Sequence, residues 1–154
     1  MTKAMPIPIL NVGSLHTGPA GNHVLWGMAM AKVLYVEDNF ENRLLVSRVL
    51  TAEGHQVLEA ADGMEGLRVA QEKVPDLILL DINLPEMDGY EVTARMRSIP
   101  ALADVPIVAL TANVLRGDRE RSLQAGCDGY IPKPLDVDML PKQVEVFLHH
   151  ASHA

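Results

Sequence analysis

The chain has 154 residues, of which 48% are apolar and 21% charged, with a formal charge of −7; this is ordinary for one globular domain with a real core. An acidic balance without a basic cluster argues against nucleic acid as the main partner, and 4% aromatics leave little for a base-stacking platform. The single cysteine, Cys127, excludes an intramolecular disulfide and fits a reducing, cytoplasmic setting, and no run reaches the roughly 18 apolar residues of a membrane span.

Met1–Met30 differs from everything after it: one Lys, no Arg, no acid, three prolines and four glycines. No helical or strand period survives through PIPILNVGSLHTGPAGN. Ala29-Met30-Ala31 has the small-x-small form of a cleavage site, but Val24–Met30 is short for a signal-peptide core and the Pro/Gly stretch before it is atypical. The expectation is a disordered extension or non-native leader over 1–30, with Met28 or Met30 as an alternative start. A folded domain over 31–150 and a short tail over 151–154 follow.

Lys32–Val36 is a β-branched-rich strand followed at once by Glu37-Asp38-Asn39, where Asp38 or Asn39 can cap a helix beginning near Phe40. That helix is expected to turn Leu44, Leu45 and Val49 inward and to end at Gly54 as a left-handed residue. His55–Ala60 is a less apolar strand, suited to a sheet edge. Asp62 caps a helix over Gly63–Lys73 with Met64, Leu67 and Ala70 inward, and Pro75 forces an extended start to the next strand. In that strand Leu77–Leu80 forms an apolar run buried on both faces, ending on Asp81 before the turn residues Pro85, Asp88 and Gly89. Tyr90–Ser98 reads as a helix, Pro106–Leu110 as a strand closing on Thr111, Gly117–Ala125 as a helix stopped by Gly126, and Gly129–Ile131 as a short strand leading into Pro132-Lys133-Pro134. A last helix starts at about Asp136 or Asp138 and reaches His149-His150, with Pro141 tolerable only in its first turn.

Strand and helix alternate five times, which predicts an α/β fold: a three-layer sandwich around a doubly wound, five-stranded parallel sheet in the order 2-1-3-4-5. In such a sheet the C-terminal strand ends share one edge, so Glu37-Asp38, Asp81, Thr111 and Lys133 converge there. Taken singly, each has a plainer use: a solvated cap for Glu37-Asp38, a turn or cap for Asp81, a turn hydroxyl for Thr111, surface charge for Lys133. Together, three crowded carboxylates demand either a proton or a divalent cation, and hard oxygen donors suit Mg²⁺. Phosphoryl chemistry follows naturally. Asp81 would be the nucleophile, Lys133 would neutralise the phosphoryl oxygens, and Thr111 would donate its hydroxyl to the attached group. Asp38 and Asp81 would hold the metal directly, Glu37 through water, and Asn83 through its backbone carbonyl.

VEDN at 36–39, LLDINLPEMDGYEV at 79–92, VPIVALTAN at 105–113 and GCDGYIPKP at 126–134 resemble the receiver domain of bacterial two-component response regulators, over about Lys32 to Leu148. The resemblance implies the flavodoxin-like form of the fold, phosphorylation of Asp81 by a sensor histidine kinase or histidine phosphotransfer protein, and a cis peptide between Lys133 and Pro134. It also implies a switch, in which Thr111 draws the following loop inward and Tyr130 turns to remodel the face of helix four, strand five and helix five for a downstream protein. Tyr130 has a plainer reading as a half-buried edge aromatic. With only HHASHA after Leu148, the expectation is a stand-alone receiver without nucleic-acid or membrane partners, similar to DivK-type cell-cycle regulators. A relay intermediate or phosphate sink, or a receiver detached from a hybrid kinase, are its variants.

Two other classes compete. A haloacid dehalogenase-type phosphatase also uses a strand-end Asp but needs a second acid two residues later, where this chain has Asn83, which cannot shuttle a proton. Asn83 and Asn113 would instead tune the phosphoryl lifetime. A flavodoxin-like cofactor binder would need a phosphate cradle after the first strand, where Glu37-Asp38 presents negative charge.

Overall fold

The computed structural model describes residues 31–112 and 117–152; Met1–Met30 and Asn113 lie outside the described residues. Five strands, β1 (Lys32–Val36), β2 (Gln56–Ala60), β3 (Leu77–Asp81), β4 (Ile107–Thr111) and β5 (Gly129–Pro132), pair in parallel in the order β2-β1-β3-β4-β5. The helices between and after them are α1 (Phe40–Ala52), α2 (Gly63–Lys73), α3 (Gly89–Arg97), α4 (Asp118–Ala125) and α5 (Leu140–Ser152). This is the expected doubly wound α/β sandwich, with one short 3₁₀ turn at Pro100–Leu102 that sequence periodicity did not suggest. No helix among the described residues is long and apolar enough to cross a membrane.

All five residues of β3 and of β4 are buried, as central strands covered on both faces require. Alternation divides their side chains between two cores. Leu34, Val36, Ile78, Leu80, Ile107 and Ala109 meet Leu67 and Ala70 of α2 and Val92 and Met96 of α3. Val33, Tyr35, Leu77, Leu79, Val108 and Leu110 meet Val46 and Leu50 of α1 and Leu140 and Val144 of α5. The less apolar β2 lies at one edge, as expected, and β5 at the other.

Several local expectations need correction. Leu44 and Leu45 are exposed, at 39% and 48%, while Val46 and Leu50 are the buried residues of α1 and Val49 packs partly beneath them. The apolar residues of α1 cover more arc than one face can bury, and only 46, 49 and 50 keep the i, i+3, i+4 stripe that meets the sheet. Met64 is likewise exposed, because Gly63, Gly66, Leu67 and Ala70 form the buried stripe of α2. That helix ends on Val74 in the left-handed region (φ 43°), a costly place for a β-branched residue. The following Pro75 bars Val74 from the right-handed helical region and explains the stop. The last helix begins at Leu140, with Pro141 in its first turn. Asp136 closes a turn before it, accepting the N–H of Asp138 at 2.9 Å.

His55, just before β2, is buried, and its Nδ1 lacks a hydrogen-bond partner in the described structure. Burial pushes its pKa down, against a weaker upward pull from Glu53. The folded state therefore holds a neutral imidazole, whereas the unfolded chain takes up a proton below about pH 6.5. Stability is fully present above that value and is lost as pH falls through the depressed folded pKa, by at most about 1.4 kcal/mol per pH unit. Urea midpoints between pH 7.5 and 5.5 should fall less steeply in His55→Phe than in the wild type.

Candidate functional site

The site begins where β1 ends. Val33, Tyr35 and Glu37 alternate onto the α1/α5 face, and Glu37 extends the strand by donating its N–H to Ala60 O at 3.0 Å. Its carboxylate is therefore drawn inside, 2% exposed. Tyr35 donates its hydroxyl to Glu37 Oε1 at 3.1 Å, and the Asn39 N–H donates to Oε2 at 3.1 Å. Asn39 rather than Asp38 caps α1, its Oδ1 accepting from Asn42 N at 2.8 Å. Asp38 is thus released from capping and stands exposed beside the buried Glu37.

Asp81 closes β3 and is also 2% exposed. The N–H of Asn83 donates to its Oδ1 at 2.9 Å. The loop beyond returns sharply, with Gly89 N–H donating to Ile82 O at 2.9 Å. A Cβ on Gly89 would stand 2.6 Å from Ile82 Cα and 2.8 Å from Asp81 O, so only glycine permits this approach. Asp88 then caps α3 by accepting from Glu91 N at 2.9 Å.

Lys133 arrives from β5, 52 residues from Asp81 in sequence, and its ammonium lies 3.1 Å from Asp81 Oδ2 and 3.7 Å from Glu37 Oε1. Its backbone N–H donates to Thr111 O at 2.8 Å, which ties the ends of β4 and β5 together. The Lys133–Pro134 peptide is cis, as the resemblance implies. Thr111 is fully buried at the end of β4. By strand alternation it shares the α2/α3 side of the sheet with Tyr130, which pairs opposite Ala109 and packs partly buried on that core. The Arg119 guanidinium lies 6.0 Å from the centre of the Tyr130 ring.

The structure therefore gathers Glu37, Asp38, Asp81 and Lys133 at one point and sets Thr111 next to them through the backbone of Lys133. One ligand atom from each of the three acids lies within 4.8 Å of the others. Burial, then the nearby Asp81 charge, pushes the Glu37 carboxyl up, opposed by the Asn39 N–H and by Lys133. One lysine does not balance three carboxylates, and an all-oxygen donor set suits a hard divalent cation such as Mg²⁺.

Sequence reading missed two supports of this site. Tyr35 could have been found by alternation, since a phenol two residues before Glu37 shares its face. Arg43 donates to Glu37 O at 2.7 Å and pairs with Glu59 at 3.3 Å, linking the β1–α1 turn to β2; nothing in the local sequence signals that partner.

Residues 33–145 match the family model described as the response regulator receiver domain. The polar-differentiation response regulator DivK of Brucella anthropi is 40% identical over 119 residues, which cover 77% of this chain and 97% of that protein. Among solved structures, the receiver domain of the sensor histidine kinase PA1611 from Pseudomonas aeruginosa, with a magnesium ion coordinated in its active-site cleft, matches with a TM-score of 0.73 and 39% identity. That match covers 79% of this chain and 99% of the other. The Vibrio cholerae chemotaxis protein CheY4 matches with a TM-score of 0.74 and 34% identity, over 77% of this chain and 99% of its own.

Proposed function

This chain belongs to the response regulator receiver domain family of two-component signalling, and on that premise we propose that it accepts a phosphoryl group on Asp81. The donor is a phosphohistidine on a sensor histidine kinase or histidine phosphotransfer protein, and the protein works in the bacterial cytoplasm. The observation that carries this reading is the convergence of Lys133 Nζ on Asp81 Oδ2 at 3.1 Å, beside two further carboxylates.

Asp38 and Asp81 would hold Mg²⁺ directly, Glu37 through water and Asn83 through its backbone carbonyl; the bound ion offsets charge on the oxygens of the phosphoryl group in transfer. The chain's own residues do the rest. An Asp81 carboxylate oxygen attacks phosphorus as the bond to the donor imidazole nitrogen breaks, and the electron pair of that bond leaves with the imidazole. The Asn83 N–H on Oδ1 and Lys133 on Oδ2 keep the carboxylate oriented. Lys133 then serves the phosphoryl oxygens, and Thr111 supplies its hydroxyl to the attached group.

Asn83 stands where a phosphatase of the haloacid dehalogenase type needs its second acid, which favours a persistent phosphoryl group and a signalling role over turnover. Output follows a population shift: Thr111 draws toward the phosphoryl group, Tyr130 turns inward, and the α4–β5–α5 face presents a different surface to a downstream protein. Intact-mass measurement after incubation with acetyl phosphate and Mg²⁺ tests the reading. One adduct of about 80 Da is expected, and EDTA present throughout the incubation should prevent its formation. No adduct under saturating Mg²⁺ would overturn the assignment.

A further inference from the structure

We propose that Tyr35 is a positioning residue for this site: its hydroxyl keeps Glu37 engaged on the strand side and so leaves Lys133 with Asp81. The inference rests on the reading of the acidic cluster as a Mg²⁺-dependent phosphoryl acceptor. Tyr35 is fully buried in the middle of the sheet, between β2 and β3, among Val33, Leu77, Leu79 and Val108. A phenol in such surroundings needs a partner for its O–H, and it has one in Glu37 Oε1 at 3.1 Å.

That same oxygen has a second claimant. Lys133 Nζ lies 3.7 Å from Glu37 Oε1 and 3.1 Å from Asp81 Oδ2, so the ammonium is shared unequally, in favour of Asp81. With the phenol in place, Oε1 already accepts a hydrogen bond and Oε2 accepts from Asn39 N, and the carboxylate is held from two sides. Without the hydroxyl, a buried Glu37 would seek its missing donor, and Lys133 is within reach. A closer Lys133–Glu37 pair would compete with the cation and draw the ammonium off Asp81. Partners one step removed from a metal commonly matter in this way, by orienting the ligands that touch it.

Tyr35→Phe removes the oxygen and keeps the ring. Calorimetric titration of the full chain with Mg²⁺ should show an affinity about tenfold weaker than in the wild type. Phosphorylation by acetyl phosphate should need correspondingly more Mg²⁺, and its saturated rate should fall as well, because an ammonium drawn to Glu37 no longer serves Asp81. In a Glu37→Gln background the same substitution should have no effect on Mg²⁺ affinity, because the group it positions is gone. An unchanged affinity in Tyr35→Phe overturns the proposal, as does an equal loss with and without the Glu37 carboxylate, which would mark a merely structural role. A wild type that neither binds Mg²⁺ nor accepts phosphate would instead overturn the functional reading beneath it.

Discussion

Asp81→Asn is expected to remove the phosphoryl adduct altogether while leaving the fold intact. Asparagine fills the same volume and can still accept the Asn83 N–H that Asp81 Oδ1 accepts at 2.9 Å. It has no anionic oxygen to attack phosphorus, and Lys133 loses the partner that holds it at 3.1 Å. Phosphorylation by acetyl phosphate should fall by about a thousandfold or more, below detection by intact mass. Folding should not suffer. Asp81 is one of the groups that push the Glu37 carboxyl up, so its neutralisation relieves a like-charge contact between two buried acids. Urea midpoints equal to or above the wild-type value are therefore expected at pH 7. An adduct of wild-type yield on the variant would place the acceptor elsewhere.

Arg97→Met should be costly to the fold, by about 3 kcal/mol. Arg97 leaves the last turn of α3 and donates Nε to Gly126 O at 2.9 Å and Nη1 to Leu102 O, Ala103 O and Val105 O at 3.0, 3.2 and 2.7 Å. Its Nη2 meets Asp128 Oδ2 at 2.6 Å, and that oxygen also accepts from Ile107 N at 2.8 Å. One side chain thus ties α3 to the 3₁₀ turn, to the start of β4 and to the loop before β5. The ion pair is the smaller share, because Asp128 is half exposed and water screens it. The larger share comes from the carbonyls that lose this donor, at roughly 0.5–1.5 kcal/mol each, although Leu102 O keeps a second one in the Val105 N–H at 3.2 Å. Methionine retains the packing of the stem and isolates that polar loss. Arg97→Lys should recover little, since one ammonium cannot reach acceptors spread across a planar fork. A shift of the urea midpoint equivalent to less than 1 kcal/mol, at unchanged slope, would refute the account.

Gly126 shows how closely this clamp is built. Its φ of 113° ends α4 in the left-handed region, as the glycine after Ala125 suggests from sequence. The space that its missing Cβ would fill lies 2.9 Å from Arg97 Cγ. The helix stop is a local signal; the arginine against it, 29 residues earlier, is not.

The same division runs through the whole molecule. Apolar runs of four or five residues, each followed by a polar turn and a helical stretch, were enough to make the sheet parallel and doubly wound, for which 2-1-3-4-5 is one natural order, and to bring Glu37, Asp81, Thr111 and Lys133 to one edge; the observed order is that one. Those features depend on chirality, chain connectivity and a period of two or 3.6, all written within a few residues. Only the tertiary structure decided that Val46 and Leu50, not Leu44 and Leu45, face the sheet, and that Asn39 caps α1 so that Asp38 is released to the site. The choice of Tyr35 and Arg43 as the groups that hold Glu37 was settled there as well. The reason is physical: a residue's neighbours along the chain set its backbone, but its partners across the fold are selected by packing and by the cost of leaving a buried polar group unpaired.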